Sequence, residues 1–329
     1  MRAVMEFCGG LAAFIFGMRT LSGALSLLAG GRAERILSGL TKSPLRAGLL
    51  GAAASAAVQS SSAVTLLVIG MAEAGGLGLA AAGYILLGAN VGTTVTPWLF
   101  SLAGIRGAVS PASLAPAVAL LGAGLLILGA KGRKKSLAEA ACGFGVLMLG
   151  MERMQAAVAP LRELPEFAGA VELLASPALA AAAAALFTAL IQSSTASIGI
   201  LQALSRTGML PLGTVIAVVL GQNVGTCITG ELSALGGGRA ARAVARFNLR
   251  INVIGAAAGV VLLYAVRALW GGWLSRPAGA ADIALCHSLF NILSAVLLWP
   301  AVPLLVGEKK GKCRNFCRRS PRPWGKDVL

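Results

Sequence analysis

Charge is what this chain has least of. Asp, Glu, Lys and Arg make up 12% of its 329 residues, against about 25% in a soluble domain. There is one histidine, and aromatic residues amount to 5%. The six cysteines, Cys8, Cys142, Cys227, Cys286, Cys313 and Cys317, do not combine with histidine into a ligand set. A zinc site takes about four ligands, so neither a metal centre nor a disulfide framework is expected. So little charge also excludes a soluble globular enzyme and a disordered chain. What is there instead is apolar: 57% hydrophobic residues, recurring from residue 8 to residue 306, with 43 glycines. That pattern predicts an all-α polytopic membrane protein whose small residues let helices approach closely.

The formal net charge of +16 does not indicate nucleic acid, because lysines and arginines sit in short segments between apolar spans. There they report orientation by the positive-inside rule. The first apolar stretch, residues 7–30, is too long for a signal peptide core and is interrupted by Arg19. It reads as the first membrane helix.

An internal repeat organises the chain. QSSSA starts at Gln59 and QSSTA at Gln192; GANVGTT starts at Gly88 and GQNVGTC at Gly221, each pair 133 residues apart. Residues 43–96 and 176–229 share 19 identities in 54 positions without a gap. The expected division is membrane repeat one at 1–135, repeat two with extra helices at 136–306, and a basic cytoplasmic tail at 307–329. Residues 8–30, 78–100, 108–130, 136–156, 209–230, 243–267 and 283–306 each approach the roughly 20 residues a membrane helix needs. Residues 45–58 and 63–72 are too short to cross and flank QSSS; 178–191 and 196–205 do the same around QSST. Both read as re-entrant helical hairpins.

Basic residues at 31–46, 131–135, 236–250 and beyond 307 then fall on one side, and the acidic connection at 157–175 on the other. The N-terminus is expected outside and the C-terminus in the cytoplasm of a multi-pass protein of the cell (inner) membrane. Three crossings separate the two repeats, so the second is inverted. The two tips meet near the midplane, as in secondary transporters.

The tips concentrate neutral polar groups in an apolar setting, where they cost free energy unless satisfied. Gln59, Ser60, Ser61 and Ser62, with Gln192, Ser193, Ser194 and Thr195, are the candidate substrate ligands. Asn90, Thr93, Thr94, Asn223, Thr226, Ser197 and Thr65 are candidate cation ligands. Gly88 and Gly92 are expected to permit an unwound backbone beside Asn90, with Pro97 following. Helix N-termini after each tip add partial positive charge. Arg19 and Glu152 occupy equivalent repeat positions and are read as snorkelling near helix ends, with mutual pairing as the alternative. Glu231 reads either as an interfacial residue or as tuning a cation site. His287 reads as a hydrogen-bonded structural residue.

QSSSAVT at 59–65, QSSTAS at 192–197 and the two Asn-Val-Gly-Thr segments resemble the type II sodium–phosphate cotransporter family. Arg246-Phe247-Asn248 and His287-Ser288-Leu289-Phe290-Asn291 look like its later helices. The resemblance covers about residues 8–306. It implies sodium-coupled import of inorganic phosphate, with Gln59 to Ser62 and Gln192 to Ser194 at the substrate and ion sites. Thr195 stands where the family's second motif has serine, and Cys227 where it has threonine. Bacterial members often add a PhoU-like domain; here the expectation is a short basic tail in its place. Expected partners are phosphate, sodium and the bilayer, with no nucleic acid, no cofactor and a homodimer left open. Phosphate export, or carriage of a related oxyanion, is the alternative on the same fold. An intramembrane serine hydrolase with His287 as base is the alternative from another class. One histidine cannot serve two serine clusters, and the Gly-x-Ser-x-Gly elbow is missing from the sequence.

Overall fold

Prolines mark several helix starts: Pro44, Pro111, Pro165 and Pro177 each open a helix, where the missing N–H would have no partner anyway. The computed structural model describes residues 2–29, 43–104 and 111–307. The described residues form helices only, with no strand among them. In chain order they are α1 (Arg2–Ala29), α2 (Pro44–Val58), α3 (Ser61–Glu73), α4 (Leu79–Thr93), α5 (Val95–Ser101), α6 (Pro111–Ile127), α7 (Gly132–Val158), α8 (Pro165–Leu173), α9 (Pro177–Ile191), α10 (Ser194–Leu204), α11 (Leu212–Thr226), α12 (Ile228–Ala234), α13 (Arg239–Leu274), α14 (Ala280–Leu298) and α15 (Val302–Leu305), joined in places by short 3-10 turns.

The repeat reappears helix by helix. α2 and α9 are both 15 residues, α4 and α11 both 15, α5 and α12 both 7, all at the same offset. Gly75 and Gly208, also equivalent, both take a left-handed turn at φ 74° and 72°.

Glycines set how these helices meet. A Cβ on Gly88 would strike the Gly48 carbonyl, and one on Gly92 the Ala52 carbonyl. In the second repeat Gly221 meets Ala181 and Gly225 meets Ala185 in the same way. α2 thus lies in backbone contact with α4, and α9 with α11, in one register. α1 and α7 also touch through glycine. Gly10 faces Met154, Phe14 faces Gly150, Gly17 faces Leu147 and Leu21 faces Gly143. One number rises as the other falls, so these two equivalent helices run antiparallel. Around them lie two apolar clusters. Val64, Ile69, Leu86, Phe247 and Val302 belong to one; Phe14, Phe100, Leu147, Met151, Ile198 and Val215 belong to the other. Many large apolar side chains face outward, Leu120, Ile127 and Leu297 among them, as a lipid-facing surface requires.

Among the described residues, five helical stretches are long and apolar enough to cross a membrane: Ala3–Leu25, Leu79–Ser101, Leu212–Ala234, Arg239–Leu274 and Ala280–Leu305. The bent pair Pro165–Leu173 and Pro177–Ile191, meeting at 105°, makes a sixth if counted as one span. Of the seven expected spans, 108–130 and 136–156 are not among these. The described part of α6 is 17 residues, and α7 mixes Arg133, Lys134, Lys135, Glu139, Glu152 and Arg153 into its apolar positions. Two basic segments expected as loops are helical: 132–135 opens α7 and 239–250 opens α13. Nor do the glycine motifs unwind. The chain between α4 and α5 stays right-handed at Thr94 (φ −66°, ψ −16°), as it does at Cys227 (φ −68°, ψ −19°). Gly88 and Gly92 serve close packing, which needs them to stay helical. Most of the segment 31–46 and the tail bearing Cys313 and Cys317 lie outside the described residues.

Candidate functional site

The two polar tips share one backbone design. α2 ends at Gln59, which takes the left-handed conformation (φ 54°, ψ 31°), and α9 ends at Gln192 (φ 51°, ψ 28°). Among the described residues these are the non-glycine ones with positive φ, a conformation costing about 1 kcal/mol or more for an L-residue. Each glutamine reverses the chain so that the next serine is extended and caps the following helix. Ser60 accepts the Ala63 N–H at 3.2 Å, and Ser193 accepts the Ala196 N–H at 3.2 Å. The N-terminal turns of α3 and α10 are therefore presented at the tips.

Both tips open on one cavity of about 360 Å³. Gln59, Ser60, Ser62, Gln192, Ser193, Ser194 and Thr195 line it, together with Met18, Arg19, Ser22, Gly23 and Val58. Ser22 of α1 donates to Gln59 Oε1 at 3.4 Å, and both residues line the cavity.

A second, much smaller cavity of about 20 Å³ adjoins it, on the order of one water molecule. Ser62 and Ser194 border both cavities. Its other polar walls are Ser61 and Thr65 of α3, Asn90 and Thr93 of α4, Gln222, Asn223 and Thr226 of α11, Cys227, Asn248 and Asn252 of α13, and His287 of α14. A web of amides holds this wall. Asn90 Nδ2 donates to Asn252 Oδ1 at 3.5 Å, and Asn252 Nδ2 donates to the Asn248 carbonyl at 2.9 Å. Asn291 Nδ2 donates to Asn223 Oδ1 at 3.3 Å. Gln222 Nε2 donates to Ser197 Oγ at 2.8 Å, and Ser197 pairs with Thr188 at 2.9 Å. With its nitrogen committed, Gln222 leaves Oε1 buried without a partner in the cavity wall, and His287 Nδ1 is likewise unpartnered. An uncompensated buried oxygen costs about 1–3 kcal/mol. A small space lined by neutral oxygens, with one oxygen orphaned, can take a dehydrated monovalent cation; no carboxylate lines it.

A family model described as Na+/Pi-cotransporter matches residues 13–156 and 169–277. The chain belongs to that family. It is a family of transporters, not of enzymes. YqeW, an uncharacterised protein of Bacillus subtilis (strain 168), is 30% identical over 307 residues, covering 92% of this chain and 96% of that protein. YjbB of Escherichia coli (strain K12), a candidate inorganic phosphate export protein by its name, is 26% identical over 330 residues. The match takes in 98% of this chain and 57% of that protein, and a Salmonella typhimurium protein of the same name is 25% identical over 326 residues. The chain thus spans little more than half of these export-named relatives. No solved structure matches it.

Set against this cotransporter frame, the eight tip residues divide between the two cavities. Ser61 reaches the small one alone, Ser62 and Ser194 reach both, and the other five reach the large one. Of the expected cation ligands, Thr65, Asn90, Thr93, Asn223 and Thr226 line the small cavity. Thr94 and Ser197 do not: Thr94 donates back to the Val91 carbonyl at 2.7 Å, and Ser197 is held behind the wall by Thr188 and Gln222. Gln222, Asn248 and Asn252 line the small cavity unforeseen, and Asn291 supports it through Asn223. Gln222 lies inside GQNVGTC, where the first repeat has Ala89, so the repeat itself drew attention away from it. His287 is not hydrogen-bonded through Nδ1 as expected. Nor does any hydrogen bond among the described residues join it to a serine, which leaves the hydrolase reading without support. Glu231 keeps a buried, unpartnered Oε1 but lines neither cavity. Arg19 and Glu152 do not pair, and Arg19 faces the large cavity.

Proposed function

We propose that this protein carries inorganic phosphate across the cell membrane in symport with sodium, by alternating access. Phosphate binds in the large cavity between the two tips, and sodium in the small amide-lined one. The observation that carries the reading is the shared wall. Ser62 and Ser194 border both spaces, so a cation drawing on their oxygens turns their O–H groups toward the anion. Occupancy of one site then favours the other, as binding linkage demands. The family's description and the phosphate-named relatives support the substrate.

The antiparallel packing of α1 against its equivalent α7 supports an inverted-repeat arrangement. In such a carrier the two hairpins approach from opposite faces. We take the N-terminus as outside and the C-terminus as cytoplasmic, from the basic segments. The direction we propose is import. Export is the second reading, favoured by the name of the Escherichia coli relative; gradients set direction in a secondary carrier. Purified protein in phosphate-loaded or empty vesicles, under inward or outward sodium gradients, distinguishes them. Sodium-driven accumulation of labelled phosphate supports the symport, and sodium-independent flux in both directions overturns it.

A further inference from the structure

The large cavity contains one charged residue, Arg19. We propose that Arg19 is the charge-selecting residue of the anion site, the group that makes it prefer a divalent oxyanion such as hydrogen phosphate. The proposal rests on the phosphate reading above.

Four observations converge. Arg19 lies on the helical face of α1 that also carries Ser22, whose hydroxyl holds Gln59. Among the described residues no carboxylate pairs with Arg19: Glu152, at the equivalent repeat position, lines neither cavity. An arginine in a membrane helix is expensive and normally finds a partner or a polar cavity. Here the other groups lining the space are all neutral, Gln59, only 6% exposed, among them. Two helix N-termini, those of α3 (13 residues) and α10 (11 residues), end on the cavity as well. Free N–H groups and helix dipoles favour an anion but carry only partial charge. The guanidinium supplies a full charge and a planar fork matched to two oxygens of a phosphate. Arg19 lines the same cavity as both tips.

The test is phosphate uptake by the full chain in proteoliposomes under a fixed sodium gradient, with KM and Vmax measured separately. R19Q should raise the KM for phosphate about tenfold or more and leave Vmax and membrane insertion near wild type. R19K, a point charge without the fork, should recover part of the loss. The R19Q defect should be larger at the alkaline end of the profile, where the dianion predominates. E152Q should leave KM unchanged. As a second route, R19C should regain a low KM when treated with a cationic thiol reagent and not with an anionic one. If R19Q and untreated R19C both keep a KM within twofold of wild type, while Q59A loses uptake, Arg19 has no part in selection although the phosphate site stands. If Q59A and R19Q both transport normally, the cavity is not the phosphate site and both readings fall.

Discussion

Gln59 and Gln192 hold a backbone conformation that glycine would adopt without strain. A role for their side chains is a proposal that substitution tests. Gln59→Ala and Gln192→Ala should each cut sodium-dependent uptake by about five- to a hundredfold, from the roughly 1–3 kcal/mol lost with a buried polar partner. Gln59→Gly is the sharper variant. It relieves the left-handed strain, so thermal stability should hold or rise while uptake falls as far as in Gln59→Ala. If the glycine variant transports normally, the amide has no role. His287 borders the small cavity through a ring without a partner. His287→Asn keeps a polar group there and should weaken apparent sodium affinity several-fold while leaving the pH profile in place; complete loss of uptake would revive proton-relay chemistry. At this scale the tips were legible because four consecutive polar residues recur twice in an apolar setting. The amides of α13 and α14 were not. Asn248, Asn252 and Asn291 stand singly among apolar residues, where one polar side chain looks like ordinary helix–helix hydrogen bonding. Only the packing of distant helices brings them to one wall.

Among elements, glycine was the residue most easily misread. Its conformational freedom suggested unwinding at GANVGTT and GQNVGTC, yet both segments stay helical and use the missing Cβ for backbone contact. Gly88→Ala places a methyl group on the Gly48 carbonyl and should destabilise by about 1–3 kcal/mol, read as a lower melting temperature in detergent. Gly70→Ala in α3 meets open space and should be neutral or slightly stabilising, since alanine suits a helix better by about 1 kcal/mol. Equal behaviour of the two variants would rule out the close-packing account. The helix break at each tip and five of the seven expected spans were readable from length and hydropathy. The first turns of α7 and α13 were not, because basic residues read as loop charge while arginine and lysine are also good helix formers.

For the whole molecule, duplication was the strongest signal in the chain, and the matched lengths of α2 with α9 and α4 with α11 follow it. Orientation in the bilayer is argued from charge and from the antiparallel α1–α7 pair. A cysteine at Lys134 should react with impermeant reagent only from the cytoplasm, and one at Glu166 only from outside; labelling of both from one side would undo the inversion. Coupling is the claim on which the account turns. The small cavity is lined by neutral oxygens, with no carboxylate and one histidine, so it suits sodium and lacks the acid a proton carrier generally needs near its midplane. The direct measurement is labelled-phosphate accumulation in proteoliposomes given a sodium gradient at uniform pH, then a pH gradient in sodium-free buffer. The account predicts accumulation in the first case and none above leak in the second. Robust accumulation driven by the pH gradient alone would contradict it.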